Sequence, residues 1–189
     1  METTHTGKTF EKIDFSGKTT SEQEFHKCIF QNCDFSNADF TLNNLRSCTF
    51  DSCNLSMMRL RGTALSKVLF RNCKILGVNF SECSDFLFEV RFESSVLDYA
   101  AFTAKKMPKT KFISSSLKEV TFTQATLTDA IFENSDLWGA IFNRTNLTGA
   151  NFVTAVNYSI DPEINMLKKA SFSLDGLPGL LSRHGIVVV

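Results

Sequence analysis

Aromatic residues with a polar handle are almost absent from this chain: one Trp and two Tyr stand against 19 Phe. So one-sided a choice excludes an ordinary mixed aromatic core. It implies sites that take a bare ring and reject a hydroxyl or an indole N–H, because a buried polar atom needs a partner. Net charge is missing too, with 20 Lys and Arg balancing 20 Asp and Glu. That balance argues against a strongly basic nucleic-acid binder and against a polybasic membrane anchor, so no direct contact with nucleic acid or membrane is expected. No apolar run approaches the ~18 residues of a membrane span. The opening stretch from Met1 to Lys8 lacks the apolar segment of a signal peptide, and a cytoplasmic location is expected. Only three His occur, and the nine Gly are scattered rather than gathered into a phosphate-binding loop. What is present is globular in composition, 43% apolar and 21% charged over 189 residues, enough for one domain.

The apolar residues follow a period of five. Every multiple of five from Phe10 to Phe80 is apolar except Thr20. A second series runs Phe92, Leu97, Phe102, Met107, Phe112, Leu117, Phe122, Leu127, Phe132, Leu137, Phe142, Leu147 and Phe152, without exception. Five matches neither the helical 3.6 nor the strand 2.0. Two residues before each of these centres stands a second selected position, filled by Cys33, Ala38, Cys48, Ser95, Ala100, Ser115, Ala130 or Ala150 and their like. A small residue at a fixed offset from a large one implies a tight inward slot; Lys105, before Met107, is the misfit.

Ala38-Asp39-Phe40, Ser135-Asp136-Leu137, Thr145-Asn146-Leu147 and Ala150-Asn151-Phe152 carry the pattern that identifies pentapeptide-repeat proteins, and the resemblance spans roughly residues 10 to 152. It implies an all-β fold, a right-handed quadrilateral β-helix in which five residues form one side and 20 form a coil, about seven coils in all. Residues 20 apart then stack. The two series are offset by two, so a two-residue insertion is placed within Ser81 to Phe86, with Leu87 as the next centre. One column then reads Phe10, Phe30, Phe50, Phe70, Phe92, Phe112, Phe132 and Phe152, all Phe. The repeat body is set at residues 1–157, with a bulge at 81–86, and a C-terminal segment at 158–189.

Six Cys invite a metal-clip reading, but Cys28, Cys33, Cys48, Cys53 and Cys73 all occupy the small slot, and Cys83 shares their spacing. They are expected to be buried free thiols, with no metal and no cofactor. His5 lies in the tail, His26 follows a centre and His184 ends a C-terminal stretch; none has a nucleophile and a carboxylate at a suggestive spacing, and no catalysis is expected. The side centred on Phe15, Phe35, Leu55, Ile75, Leu97, Leu117 and Leu137 bears Asp14, Asp34, Asp98, Glu119 and Asp136 against Lys74 and Lys118, net −3. It is the candidate face for a basic partner. Ser81, Glu82 and Asp85, with Lys105, Lys106, Pro108 and Lys109, are candidate contact points where the repeat is irregular.

After Phe152 the local cues change. Asp161-Pro162-Glu163 before Ile164-Asn165-Met166-Leu167-Lys168-Lys169 predicts a capped helix, with acid early and base late. Leu177 to His184 predicts a second short helix ended by Gly185, and Ile186 to Val189 a small strand. A solenoid needs capped ends, and Ile164, Leu167, Phe172, Leu177, Leu180, Leu181, Ile186, Val187 and Val188 are expected to cap one end and to pair two chains. The run from Leu147-Thr148-Gly149-Ala150 to Ile160-Asp161 resembles the albicidin-resistance pentapeptide protein. Asp161 to Asn165 and the Gly185-Ile186-Val187-Val188 ending resemble the microcin B17 immunity protein, and both more distantly the quinolone-resistance Qnr family. That resemblance implies a dimeric rod that binds DNA gyrase or topoisomerase IV and relieves a topoisomerase poison, by partial mimicry of duplex DNA. The alternative is a pentapeptide scaffold for another protein partner.

Overall fold

The computed structural model describes residues 3–186, which wind into a four-sided parallel β-solenoid of about seven coils. Eleven short strands form along it: β1 (Thr3–Thr6), β2 (Thr9–Glu11), β3 (Gln23–His26), β4 (Ile29–Gln31), β5 (Asn44–Arg46), β6 (Thr49–Asp51), β7 (Ala64–Ser66), β8 (Val68–Arg71), β9 (Val90–Glu93), β10 (Lys111–Ile113) and β11 (Ile131–Glu133). They make two sheets, β1-β3-β5-β7 and β2-β4-β6-β8-β9-β10-β11. All pairs are parallel, and Phe10 faces Phe30, Phe50 faces Phe70, and Phe92 faces Phe112. The other two sides are held by single bridges, one of them running Asp14, Asp34, Asn54, Lys74, Val96, Ser116, Asp136. Among the described residues no helix is long and apolar enough to cross a membrane.

The period of five follows from how each side is built. In β4 the pattern is exposed, buried, exposed, with Phe30 inward. The residue two after each centre turns the corner in the left-handed region, as at Lys27 (φ 53°), Asn32 (φ 54°) and Asn37 (φ 56°). Such a φ is unfavourable for most L-residues. Here it is held by the ladder, since the corner amide of Asn32 donates to Asp51 O at 3.0 Å. Gly62 shows where a corner side chain is excluded: a Cβ there would lie 2.7 Å from Leu42 Cδ2 of the preceding coil.

The axis is the Phe column. Successive rings stack at 4.9 Å (Phe10–Phe30), 4.7 Å (Phe30–Phe50), 5.1 Å (Phe112–Phe132) and 4.6 Å (Phe132–Phe152). A second column meets the first edge-on, with Phe112 and Phe122 at 5.7 Å and 75°. Slot residues are small donors as well as small: Cys48 Sγ donates to Phe25 O at 3.3 Å, Cys53 Sγ to Phe30 O at 3.3 Å, and Ser135 Oγ to Phe112 O at 3.2 Å. All six thiols are free and buried.

Two expectations need correction. The insertion begins within 81–86 but runs past it, to the start of β9. The Ser84 amide still donates to Thr63 O at 2.9 Å, in the normal register, whereas Val68 pairs with Val90, 22 residues on instead of 20. The two extra residues therefore fall between Cys83 and Val90. Leu87 is not a centre: it is 63% exposed, and Phe88, at 7%, fills the column instead. Ser81 and Glu82 belong to a 3-10 turn (Phe80–Glu82) capped by Asn79, which ends the preceding side.

The second correction is at Asp161 to Lys169, which is not helical. Asn165 occupies a slot, the Met166 amide donates to Thr145 O at 3.0 Å, and Phe172 stacks on Phe152 at 5.2 Å. The Phe column thus has one more member, because burying Leu167 and Phe172 on an existing coil outweighs local capping cues. Among the described residues the one short α-helix is α1 (Pro178–Leu181), followed by a 3-10 turn over Ser182–His184 and Gly185 in the left-handed region. This segment folds back on the last coil: the Ile160 amide donates to Gly179 O at 2.9 Å, and Arg183 Nη1 reaches Asp161 at 2.6 Å and Glu163 at 2.8 Å.

Candidate functional site

A solenoid offers sides rather than a cleft, so each candidate is located by side and by coil. The acidic side divides in two. Asp14 and Asp34 are adjacent rungs of one bridge ladder, followed by Asn54, Lys74, Val96 and Ser116 before Asp136. Asp98 and Glu119 lie beside that ladder, on the coils bearing Val96 and Ser116. The candidate acids are therefore a pair near the start of the rod and a trio in its later coils, with Lys74 between them.

Local bonds favour the ionised form of Asp14, Asp34 and Asp136. Asp34 accepts the Ser36 amide at 2.7 Å, and the hydroxyl and amide of Ser36 keep its pKa below the ordinary carboxylate value. Asp14 makes the same bonds with Ser16, at 2.8 Å from the amide and 2.6 Å from the hydroxyl, and is likewise lowered. At Asp136, burial pushes the pKa up, but Asn157 Nδ2 at 2.8 Å, the Trp138 amide at 3.1 Å and Lys118 together bring it below the usual value. Asp98 accepts Ser116 Oγ at 2.6 Å and the Lys118 amide at 3.1 Å.

The bulge is built around the residue that broke the repeat. Lys105 occupies a slot and is 2% exposed, so it is not a surface contact point as expected from sequence. Its ammonium donates to Cys83 O and to Asp85 Oδ1, the latter at 2.7 Å, and stands 5.0 Å from the centre of the Phe88 ring. A buried cation with a carbonyl, a carboxylate and a ring face around it pins both ends of the insertion. Phe86 and Leu87 project from the pinned loop, while Lys106, Pro108 and Lys109 lie exposed nearby; Cys83, beneath, has its thiol pushed up to about 12 by burial, against the pull of Lys105.

At the C-terminal end the nine residues expected to cap and pair the rod separate. Leu167, Phe172 and Leu180 pack against the core, whereas Ile164, Leu177, Leu181 and Ile186 are exposed. Val187 and Val188 lie outside the described residues. Sequence reasoning missed Leu174, at 84% the most exposed large apolar residue among those described, and the exposed Met166. It also missed Tyr99 and Trp138, both on the outer surface. Their rarity was a signal, used only to explain what the core rejects. No group of three or more His, Cys, Asp or Glu able to hold a metal ion is found among the described residues.

The family model for a pentapeptide repeat region matches residues 23–102, and that for pentapeptide repeats in eight copies matches residues 115–153. Among solved structures, two trypsin-treated variants of QnrB1, a plasmid-mediated fluoroquinolone resistance protein, are similar in fold. One is 17% identical with a TM-score of 0.70, covering 96% of this chain and 100% of that one. The other is 20% identical with a TM-score of 0.73, covering 100% of both. Full-length QnrB1 is 20% identical with a TM-score of 0.51, covering 97% of this chain and 100% of that one. No curated protein matches the sequence.

Proposed function

The chain belongs to the pentapeptide-repeat family, and from that premise we propose that it is a non-enzymatic cytoplasmic protein that binds a bacterial type II topoisomerase, DNA gyrase or topoisomerase IV, and protects it from a poison. The observation that carries this reading is the end-to-end match of the rod to trypsin-treated QnrB1, a fluoroquinolone resistance protein. The chain's own charges set how contact is made. Duplex DNA presents one negative charge per ~1.7 Å of axis. Here the ladder offers Asp14, Asp34 and Asp136 at one residue per coil, with Lys74 among them. Mimicry of a duplex is therefore confined to short stretches of the acidic side, and shape and apolar contacts supply the rest. Supercoiling by purified gyrase, inhibited by a fluoroquinolone, should recover when the protein is added; absence of recovery across several poison classes would refute the proposal.

The exposed apolar residues Met166, Leu174, Leu177 and Leu181 support pairing of two chains through the C-terminal end. Leu174→Ser with Leu181→Ser should halve the mass in light scattering, and a mass that starts as a monomer's contradicts the pairing. The zero net charge favours a second reading, a scaffold for a different protein. Affinity capture that returns one non-topoisomerase partner, with no effect on gyrase, would establish it.

A further inference from the structure

The polar-handled aromatics that the core rejects are not scattered. Tyr99 is 61% exposed and Trp138, the only Trp, is 58% exposed, and both lie on the same side of the rod. The backbone ties them together through one intervening coil. The Tyr99 amide donates to Lys118 O at 2.9 Å, and the Glu119 amide donates to Trp138 O at 2.9 Å. Two coils separate the aromatics, roughly 10 Å at the spacing of neighbouring strands. Around them stand Asp98, Glu119 and Asp136, and the segments 96–99, 116–119 and 136–139 that make this surface contain one basic residue, Lys118. Lys118 Nζ is 3.4 Å from Asp136 Oδ2, so the one local cation is already turned to a local acid. Three carboxylates against one ammonium leave a net charge of −2 beside two exposed aromatic faces. Gly139, at the corner after Trp138, keeps the surface open, with Glu119 Cγ 3.0 Å from where its Cβ would stand.

We propose that this Tyr99–Trp138 surface is the docking site for an arginine-bearing segment of a protein partner. A guanidinium stacks on an indole or phenol face and pairs bidentately with a carboxylate, which is the combination presented here. Large rigid aromatics are the residue types that concentrate binding energy at protein interfaces. The same charges repel a nucleic-acid backbone. The proposal deepens the topoisomerase reading and rests on it for the partner's identity only. It also narrows the acidic side: Asp14 and Asp34, several coils away, are outside the contact.

The test has two arms. In the first, the full chain is passed over immobilised DNA gyrase in a surface plasmon resonance assay. Trp138→Ala and Tyr99→Ala should each weaken binding at least tenfold, while Phe86→Ala at the bulge and Asp14→Asn stay within twofold. Both side chains are in solvent, so unchanged melting curves are expected and will verify the fold. If the wild type binds and neither variant is weakened, the docking site is wrong and the topoisomerase reading stands. If the wild type does not bind gyrase, that reading falls and the second arm decides the surface. Fluorescence of the single Trp is titrated with nona-arginine. A saturable change that is lost in the Asp98→Asn, Glu119→Gln, Asp136→Asn variant, and is not produced by duplex DNA, upholds the site. No response, or one that follows the protein's own concentration and so reports a second copy, overturns it.

Discussion

Lys105 gives the sharpest prediction because its partners are unequally buried. The side chain of Lys105 is 2% exposed and that of Asp85 77%. Replacing Lys105 with Ala removes three buried methylenes, worth about 0.8 kcal/mol each. It also strips Cys83 O of its donor, at about 1–3 kcal/mol. Relief from desolvating the ammonium offsets part of this, leaving a net loss of about 2–4 kcal/mol. Lys105→Met keeps the apolar stem and should cost only about 1–2 kcal/mol, most of it from the carbonyl. Asp85→Ala leaves the ammonium with one neutral acceptor and the Phe88 face. A hydrogen bond to a charged group is worth ~1.5–3 kcal/mol, and with Asp85 open to solvent we expect about 1–2 kcal/mol. In the Lys105→Met background the same change should cost about zero, since Asp85 then has no ion to serve. Urea midpoints of the four proteins measure the cycle, and hydrogen exchange of the Phe88 amide reports loosening of the bulge. Equal cost of Asp85→Ala in both backgrounds, or a loss below about 0.5 kcal/mol for Lys105→Ala, would refute the pinning argument.

Phe112, fully buried between Phe92 and Phe132, should cost ~3–5 kcal/mol on truncation to Ala, and Phe10 at the open end distinctly less; equal losses in urea midpoint would contradict the ladder. Asp34, Asp39 and Asp51 are lowered mainly by the Ser36, Thr41 and Arg71 side chains. A depressed carboxylate stabilises the fold above its unfolded pKa of ~3.9 and loses that contribution as pH falls through the folded value. The urea midpoint should therefore hold from neutral pH to about 5 and fall below about 4, and a flat profile down to acid would contradict it. Cys48 is pushed up to about 11 and Cys83 to about 12, both first by burial, so native protein at pH 8 should resist a thiol reagent while all six thiols react in denaturant; rapid native labelling would show the slots to be open. The Tyr158 hydroxyl is buried, and the Ser173 side chain is the one group that offsets that burial, so Tyr158→Phe should leave melting unchanged or shift it by up to about 1 kcal/mol, and a larger loss would mean the hydroxyl is strongly bonded.

The period of five was legible because it is a packing rule rather than a propensity: centre, corner and slot recur whatever the local residues prefer. For the same reason, local signals misled where they competed with it. Asp161-Pro162-Glu163 has the chemistry of a helix start, yet Leu167 and Phe172 stand 20 residues after Leu147 and Phe152 and were taken into the stack. The bulge failed differently. Counting 22 from Leu65 lands on Leu87, but an insertion has no register of its own, and the ring at Phe88 both fills the column and faces Lys105. A Lys in a slot otherwise held by small residues was the readable sign that something had to be pinned there. The acidic side was legible as composition, but its division into two groups depends on which rung each residue occupies and on Lys118, 18 residues before its partner Asp136.

The division among aromatics links the fold to its surface. A Phe column can be extended coil by coil because each ring asks only for the ring above and below it. A Tyr or Trp inserted there would bring a polar atom with no partner, since the slot donors already use the nearby carbonyls, as Ser135 Oγ does with Phe112 O. The three exceptions therefore sit where the column does not reach. Tyr158 lies beyond it, its ring tilted against Phe152 and Phe172 at the end and covered by Gly176 and Gly179, where any Cβ would collide with it. Tyr99 and Trp138 lie outside it, in solvent. A large exposed aromatic contributes nothing to stacking coils, and the five-residue rule leaves its position free to be small or charged. Nothing in the architecture of the rod requires these two rings, so the reason for them is to be sought in what the rod touches.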